Sequence, residues 1–237
     1  MLTRRTFLGA AAAFVASARL DPFGSTQAHA QVHDGWYVGF IPDRPHNIPF
    51  VDPDRLPAHL RRTVMRYDGR ERPGTILVDT SARQLFLIRP GNRAIRYGIG
   101  VGRDGFSWSG TATVGRKARW PDWRPPASMR RRQPELPVHM EGGLDNPLGA
   151  RALYLHQGGR DTLYRIHGTN EPWSIGQAMS SGCVRMLNQD ALDLYEKTPV
   201  GATVRVRHGM NRDAFAALDA REEYGSLDLA QSVRGLF

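Results

Sequence analysis

The sequence predicts a mainly β domain with a few short helices. Turn-forming residues are frequent, with 25 glycines and 16 prolines among 237 residues, which is typical of a loop-rich β protein. Apolar residues make up 41% of the chain and charged residues 23%, so a packed core is expected and global disorder is excluded. From position 74 onward, short runs of β-branched and aromatic residues alternate with Gly- and Pro-containing turns, the pattern of successive strands.

The central part of the chain, residues 74–207, carries most of these elements. Strands are expected at 75–79, 84–88, 94–102, 111–119, 152–156, 164–167 and 203–206. A helix is expected over Asn188–Lys197, with Asn188 as its N-cap. Residues 120–149 are predicted to be a long irregular stretch, and a loop of that length inside a compact domain is often functional.

Two segments of different character flank this central part. Residues 31–73 are polar and Pro-rich, which predicts an irregular N-terminal extension with a short helix near 58–65. Residues 208–237 are predicted to be a C-terminal helical tail, with its helix over 212–224. The chain is therefore interpreted as one domain with an extension at each end.

The first thirty residues have the pattern of an export signal. Arg4 and Arg5 precede a short apolar run, and Ala28-His29-Ala30 is a small-x-small cleavage site. The arginine pair resembles the twin-arginine type of signal. The alternative, an amphipathic start of a mature helix, is disfavoured because the alanine run has no polar face. We therefore predict a periplasmic protein without stable membrane insertion once it is processed.

The net charge is strongly basic, at +9, which suits an acidic ligand. A nucleic-acid binder would carry basic residues interleaved with aromatic residues in one patch. Here the arginines are spread along the chain, and the one run, at 130–132, is interpreted as a solvated loop. Nucleic acid is therefore not an expected partner.

Cys183 is the only cysteine, so no disulfide can form within the chain. An unpaired thiol is a liability in an oxidising compartment, and its presence requires an explanation. It is either a small buried hydrophobic residue or a functional thiol. The residue taken alone does not decide between the two.

Two nearby segments contain residues that could activate this thiol. A thiol attacks an acyl carbon as thiolate, and an imidazole beside it can take the proton and return it to a leaving amine. His167 lies sixteen positions before Cys183, which leaves enough chain for the two to fold together. The carbonyl of Gly168 could accept the ring N–H of His167 and so orient the imidazole.

The turn around the cysteine offers further groups. The backbone N–H groups of Ser181, Gly182 and Cys183 could form an oxyanion site, because Gly182 permits the unusual dihedral angles that this requires. Arg185 lies two positions after Cys183, on the same face of an extended chain, so its guanidinium could hold a substrate carboxylate. Arg165 would face the same way as the base two positions later, either towards substrate or in an ion pair on the strand.

The two segments resemble the signature of the L,D-transpeptidase catalytic domain, the YkuD-like family: His-Gly-Thr at 167–169, then Ser-x-Gly-Cys-Val-Arg at 180–185. Further segments resemble the family in the same order: Gly74-Thr75-Ile76, Tyr97–Gly102, Trp120–Pro126 and Asn146–Gly149. The resemblance covers about 74–207 and implies a β-sandwich-like catalytic domain. Many members carry His where this chain has Ser181, so a second imidazole is missing from the turn.

The resemblance implies a role for each of these residues. Cys183 would be the nucleophile, His167 the general base and acid, and Gly168 the residue whose carbonyl orients the imidazole. Ser181, Gly182 and Cys183 would shape the oxyanion site, and Arg185 would help to hold the acyl donor or the active-site turn. The implied reaction is attack on the tetrapeptide stem of peptidoglycan, release of D-Ala, formation of a thioester, and transfer to an amine to give a 3→3 cross-link. No cofactor and no metal are implied, and the partners would be peptide stems, with an outer-membrane protein as a further acceptor.

Other functions stay open at this point. Hydrolysis by the same residues would make the protein an L,D-carboxypeptidase or endopeptidase, because the choice between amine and water depends on how the site excludes water. A non-catalytic wall-binding module would need neither the cysteine nor its base. A zinc site of His139, His156 and His167 is disfavoured, since no His-x-His or His-Glu-x-x-His spacing occurs. Trp120 and Trp123 either line a substrate groove or pack the 120–149 loop onto the sheet.

Overall fold

A computed structural model describes residues 35–102, 108–180 and 182–217 of the chain. The export signal at 1–30 and residues 218–237 of the C-terminal tail lie outside the described residues and stay predictions. Ser181, one of the residues assigned to the oxyanion site, also lies outside them.

The described part of the chain is mainly β with two α-helices, which confirms the predicted fold class. Its strands are β1 (Tyr37–Ile41), β2 (Ile48–Val51), β3 (Thr63–Tyr67), β4 (Ile76–Asp79), β5 (Gln84–Arg89), β6 (Arg93–Gly98), β7 (Val101–Gly102), β8 (Gly110–Arg119), β9 (Arg151–Gln157), β10 (Arg160–His167), β11 (Ala178–Ser180), β12 (Val184–Arg185), β13 (Thr203–Arg207) and β14 (Phe215–Ala217). Its α-helices are α1 (Ala127–Arg132) and α2 (Asn188–Lys197), and short 3-10 turns lie at Pro53–Arg55, Ala58–Leu60 and Pro172–Ser174.

One sheet of ten strands organises the molecule, in the order β12-β10-β9-β8-β13-β4-β5-β6-β3-β14. Strands β10 and β12 pair in parallel, as do β13 and β4, and the other neighbours in this sheet are antiparallel. Two small sheets, β1 with β2 and β11 with β7, lie beside it. The parallel pair β10 and β12 is important for function, because each strand carries residues of the predicted site.

Apolar side chains from both halves of the large sheet meet in one core cluster, together with one face of α2. Residues of β4, β5 and β6 contribute one side of this cluster, and residues of β8, β9 and β10 contribute another. Ile166 belongs to it and is fully buried, so the residue immediately before His167 is held in the core. The end of β10 therefore anchors His167 to the packed core.

Several elements lie where the sequence predicts them. Strands β4, β5, β8, β9 and β13 match the predicted runs, and α2 begins and ends at the predicted residues. The predicted N-cap is wrong, because Leu187 occupies that position and Asn188 is the first helical residue. The Asn188 side chain instead bonds to two other parts of the chain, described below with the site.

The flanking segments differ more from the prediction. The helix expected near 58–65 is wrong, because the chain makes only the 3-10 turn there and then enters β3 of the large sheet. The helix expected from 212 is also wrong over its described part, where β14 pairs with β3. The physical reason is a second apolar cluster on the outer face of the sheet, in which Phe215 stacks on Phe86 with ring centroids 4.1 Å apart. The predicted 120–149 loop contains the short helix α1.

A buried carboxylate between β1 and β2, that of Asp43, connects this hairpin to the domain. Asp43 accepts hydrogen bonds from Arg151 Nη1 and Trp120 Nε1, both at 2.8 Å, and from Arg119 Nη2 at 2.5 Å. Burial alone would raise the pKa of Asp43, but these hydrogen bonds and the charge of Arg151 outweigh it and lower the pKa to about 2. Since Arg151 is itself buried, the pair joins the N-terminal extension to the first residue of β9.

We expect Asp43→Asn to lower the free energy of unfolding by about 3 kcal/mol, because it leaves the buried guanidinium of Arg151 without its counter-charge. Urea denaturation at pH 7 measures the change. The matched control is Asp54→Asn, which removes an ion pair to Arg61 from a carboxylate that is 79% exposed and should cost less than about 1 kcal/mol. Equal losses in the two variants would contradict the proposed importance of the Asp43 anchor.

Candidate active site

The pairing of β10 with β12 brings the predicted residues together. His167 is the last residue of β10 and lies directly opposite Arg185 of β12, while Cys183 immediately precedes β12. His167, Gly182, Cys183 and Arg185 all line one cleft of about 370 Å³. The cysteine and the imidazole, sixteen residues apart in sequence, therefore share one cavity.

The imidazole of His167 is oriented by the residue that follows it. Its Nδ1 lies 2.6 Å from the carbonyl oxygen of Gly168. Because a carbonyl oxygen only accepts hydrogen bonds, Nδ1 carries the proton and Nε2 keeps its lone pair. Burial, assisted by the positive charge of Arg185, lowers the pKa of His167 to about 3. The imidazole is therefore neutral near pH 7 and can act as a base through Nε2.

The thiol of Cys183 is partly buried, and its Sγ lies 3.9 Å from the carbonyl oxygen of Leu163, to which it donates. Burial raises the pKa of this thiol, and the backbone N–H of Arg165 and the charges of Arg165 and Arg185 offset only part of that effect. The resting pair is thus a neutral thiol and a neutral imidazole.

The Asn188 side chain fixes the backbone next to His167 by two hydrogen bonds. Its Nδ2 donates to the carbonyl oxygen of Thr169 at 2.8 Å, and its Oδ1 accepts from the backbone N–H of Ala150 at 3.0 Å. A Cβ added at Gly168 would collide with this same Oδ1, so only glycine fits between the base and Asn188. The sequence predicts a helix cap at Asn188, because a residue that caps a helix and a residue that bonds to distant backbone have the same local pattern.

We expect Asn188→Ala to lower kcat by about 10-fold or more, because it leaves two buried backbone groups unpaired and frees the segment that orients His167. Gln189→Ala is the matched control, since Gln189 also makes two buried hydrogen bonds, both to the backbone of Val51 in β2. Both variants should lose similar stability in urea denaturation, and only Asn188→Ala should lose turnover of a tetrapeptide donor. A comparable loss of kcat in both would mean that general destabilisation explains the result.

Gly182, immediately before Cys183, has the unusual backbone dihedral angle that the sequence predicts for it. Its φ is +110°, a value that side-chain-bearing residues rarely adopt, and a Cβ there would lie 3.2 Å from the Tyr164 ring. The contribution of Ser181 to the oxyanion site concerns a residue outside the described ones. That role, and those of the Gly182 and Cys183 N–H groups, stay predictions.

Arg185 reaches the cleft, but its guanidinium already has a protein partner. Its Nη1 lies 2.6 Å from Oε2 of Glu171, and only 16% of the Arg185 side chain is exposed. The pair ties β12 to the loop that follows His167. Glu171 was not singled out from the sequence, since a lone acidic residue in a loop carries no distinguishing signal. The roles that the resemblance implies for Arg185, holding the acyl donor or the active-site turn, stay predictions.

The remaining predicted side chains divide between the cleft and the scaffold. Arg165 forms a two-point ion pair with Asp161, at 2.7 and 2.8 Å, and lies over the Tyr154 ring, so the ion-pair interpretation of this residue applies. Trp120 is 7% exposed and packs in the core, whereas Trp123 lines the cleft. The cleft also has an apolar lining that the sequence did not predict: Pro126, Met129, Pro147, Leu148 and Leu163.

Across residues 35–102, 108–180 and 182–217, no three His, Cys, Asp or Glu side chains lie close enough together to hold a metal ion. His139 pairs with Asp122 at 3.1 Å, and His156 packs against Gly115. The same ranges contain no helix of the length and apolarity needed to cross a membrane.

The family model of the YkuD L,D-transpeptidase catalytic domain matches residues 73–206, which include both strands of the site. The chain belongs to the L,D-transpeptidase family. Among its relatives, probable L,D-transpeptidase YbiS of Escherichia coli K12 is 40% identical over 139 residues, which are 55% of this chain and 43% of that protein. Probable L,D-transpeptidase YcfS of the same organism is 33% identical over 191 residues, 77% of this chain and 58% of that protein.

This L,D-transpeptidase family member spans about half the length of the curated relatives that it matches. Among solved structures, a Brucella melitensis protein described as a probable carnitine operon oxidoreductase is 44% identical and covers 60% of this chain, with a TM-score of 0.44. The match covers 89% of that protein. At this TM-score the likeness supports no inference about activity.

Proposed function

We propose that this protein is an exported peptidoglycan L,D-transpeptidase with Cys183 as its nucleophile. The observation that carries the proposal is the shared cleft of Cys183 and His167, in which the imidazole is neutral, oriented by Gly168, and has Nε2 available as a base. This arrangement suits acyl transfer, because one group can accept the thiol proton and later return it to a leaving amine.

The first half-reaction would form a thioester. Nε2 of His167 takes the proton of the thiol as Sγ of Cys183 attacks the carbonyl carbon of the third stem residue, and the carbonyl electron pair moves onto oxygen. The oxyanion would be held by N–H groups of the turn Ser181-Gly182-Cys183. The C–N bond to D-Ala then breaks, and the proton on Nε2 passes to the departing nitrogen. Thiol and imidazole are neutral before attack, so the transition state develops charge that the site must stabilise.

The second half-reaction would consume the thioester. The amine of another stem attacks the same carbon, His167 takes a proton from that amine, and the C–S bond breaks. The proton returns to Sγ, and the product is a 3→3 cross-link. With an outer-membrane protein as acceptor, the same step would anchor that protein to the wall, and with water it would give a carboxypeptidase.

The proposed location is the periplasm, reached through the twin-arginine type of signal at 1–30. The strongly basic chain, with a net charge of +9, suits the carboxylates of peptide stems. The proposal needs no cofactor, since the thiol, the imidazole and the backbone N–H groups supply every proton and charge that the two steps require.

Incubation of the purified protein with disaccharide-tetrapeptide, followed by mass spectrometry of the products, tests the proposed function. The expected products are free D-Ala and a cross-linked dimer, both absent with Cys183→Ala. If D-Ala is released but no dimer forms, even with a large excess of added amine acceptor, the protein would be assigned as a hydrolase instead of a transpeptidase. A wild-type reaction that the Cys183→Ala protein also performs would overturn the assignment of the nucleophile.

A further inference from the structure

The strand that ends in the base contains one residue in an unfavourable backbone conformation. Leu163 of β10 has φ +64°, the left-handed region that a branched side chain rarely adopts. Its side chain is also 74% exposed, although it is apolar. Both features cost free energy, and neither is repaid by packing within the protein. Such strain persists where the surroundings impose it, and it is frequent at functional sites.

The surrounding residues impose this conformation by specific hydrogen bonds. The register of β10 on β9 shifts between Asp161 and Arg165, which is a bulge in the strand. Within it, Oδ1 of Asp161 accepts from the Leu163 N–H at 2.8 Å, and Oγ1 of Thr162 accepts from the Tyr164 N–H at 3.2 Å. The two-point ion pair of Arg165 fixes the same aspartate. The bulge is therefore a built feature of the strand.

The bulge places the backbone carbonyl of Leu163 near Cys183 and the Leu163 side chain in the cleft. Its carbonyl oxygen lies 3.9 Å from Sγ of Cys183, and its side chain lines the cleft together with Trp123 and Met129. An acyl donor attacked by Sγ carries the side chain of its reacting residue only two bonds from the attacked carbon. A side chain attached so close to the attacked carbon would reach the part of the cleft that Leu163 lines.

We propose that the Leu163 side chain is a specificity-determining contact for the acyl donor, and that it packs against a long aliphatic side chain on the donor residue whose carbonyl is attacked. This inference rests on the proposed function. Contact with such a chain removes the exposed leucine from water, which gives binding free energy to donors with several methylene groups and little to a donor with a single methyl. The strained bulge keeps the contact in place before the donor binds.

Leu163→Gly tests this inference without endangering the fold, since glycine adopts the left-handed conformation freely. We expect an unchanged or higher Tm and a KM for a diaminopimelate-containing tetrapeptide that rises about 10-fold, with kcat changed by less than about 3-fold. For a tetrapeptide with alanine at the third position, the KM of variant and wild type should agree within about 2-fold. Leu163→Met, which restores an apolar side chain, should recover the wild-type preference. Asn92→Gly, at another left-handed position on a turn, is the control for backbone effects.

If Leu163→Gly raises the KM for both donors equally, or for neither, the inference is overturned. The proposed function is judged separately, by whether the wild type releases D-Ala. Calorimetric titration of both tetrapeptides into Cys183→Ala and into Cys183→Ala with Leu163→Gly gives a readout that needs no turnover. We expect Cys183→Ala to bind the diaminopimelate tetrapeptide about 10-fold more tightly than the alanine tetrapeptide, and the double variant to bind the two equally. This result would support the contact even if the wild type released no D-Ala. Identical affinities in the two proteins, or no binding to either, would reject it.

Discussion

We expect replacement of Cys183 by alanine to abolish the proposed acyl transfer, with a fall in kcat/KM of at least about 10⁴-fold, because the variant lacks the thiol that would form the covalent intermediate. Cys183 is the only cysteine of the chain, so no second thiol can substitute for it. The side chain is partly buried and small, and the free energy of unfolding should change by less than about 1 kcal/mol. Release of D-Ala from a tetrapeptide donor and urea denaturation measure the two quantities.

Cys183→Ser is the matched variant for this first prediction. It keeps a donor that can reach the Leu163 carbonyl but replaces a thiol by a far less acidic hydroxyl. It should therefore fold like the wild type and remain at least about 10³-fold slower. Residual activity of either variant above about one per cent of wild type would contradict the covalent route.

We expect replacement of His167 by glutamine to lower kcat/KM by about 10² to 10⁴-fold, the range over which a positioned general base contributes. Glutamine retains a donor for the Gly168 carbonyl and loses the basic Nε2, so the loss separates proton transfer from local structure. The assay is again D-Ala release, with circular dichroism spectra of both proteins as the control for folding.

The pKa shifts of Cys183 and His167 lead to a prediction about the pH dependence of alkylation. Burial raises the pKa of the Cys183 thiol and lowers that of His167 to about 3, so at any pH above about 4 the resting site holds a neutral imidazole. Alkylation of Cys183 by iodoacetamide should therefore accelerate continuously from pH 5 to pH 9 as the thiol ionises, without an inflection from imidazole. A pH-independent plateau of reactivity below pH 7 would instead indicate a preformed thiolate–imidazolium pair.

The parts of the site that were predictable are local in sequence. The hydrogen bond from His167 to Gly168 joins adjacent residues, and the order His167, Cys183 and Arg185 is written in two short motifs. The bounds of α2 follow from its own periodicity. Each of these depends on interactions between residues close in the chain, and such interactions leave a visible pattern.

The parts that were not predictable depend on distant contacts. Asn188 bonds to Thr169 and Ala150, 19 and 38 residues away, and Asp43 bonds to Arg151 over 108 residues. The first residues of β3 lie in the stretch for which the sequence predicts a helix, because the apolar partners of this strand, which include Phe86 and Phe215, come from elsewhere in the chain. The bulge at Leu163 arises from side chains that accept backbone N–H groups, which a simple alternation of strand faces does not anticipate.

The apolar lining of the cleft was also missed for this reason. Met129 and Leu148 come from the stretch predicted to be an irregular loop, and nothing in its composition distinguishes residues that turn inward from those that face solvent. Of the two tryptophans of this stretch, Trp123 lines the cleft and Trp120 packs in the core. The division depends on the Asp43 anchor, which holds Trp120 through its indole N–H.

The most direct test of the central claim is to isolate the covalent intermediate. The purified protein is mixed with disaccharide-tetrapeptide, quenched in acid within seconds, and analysed by intact mass spectrometry and peptide mapping. We expect a mass increase equal to the donor less D-Ala, located on the peptide that contains Cys183 and absent from Cys183→Ala. D-Ala release that proceeds at the wild-type rate in Cys183→Ala, or an adduct on any other residue, would contradict the assignment of Cys183 as nucleophile.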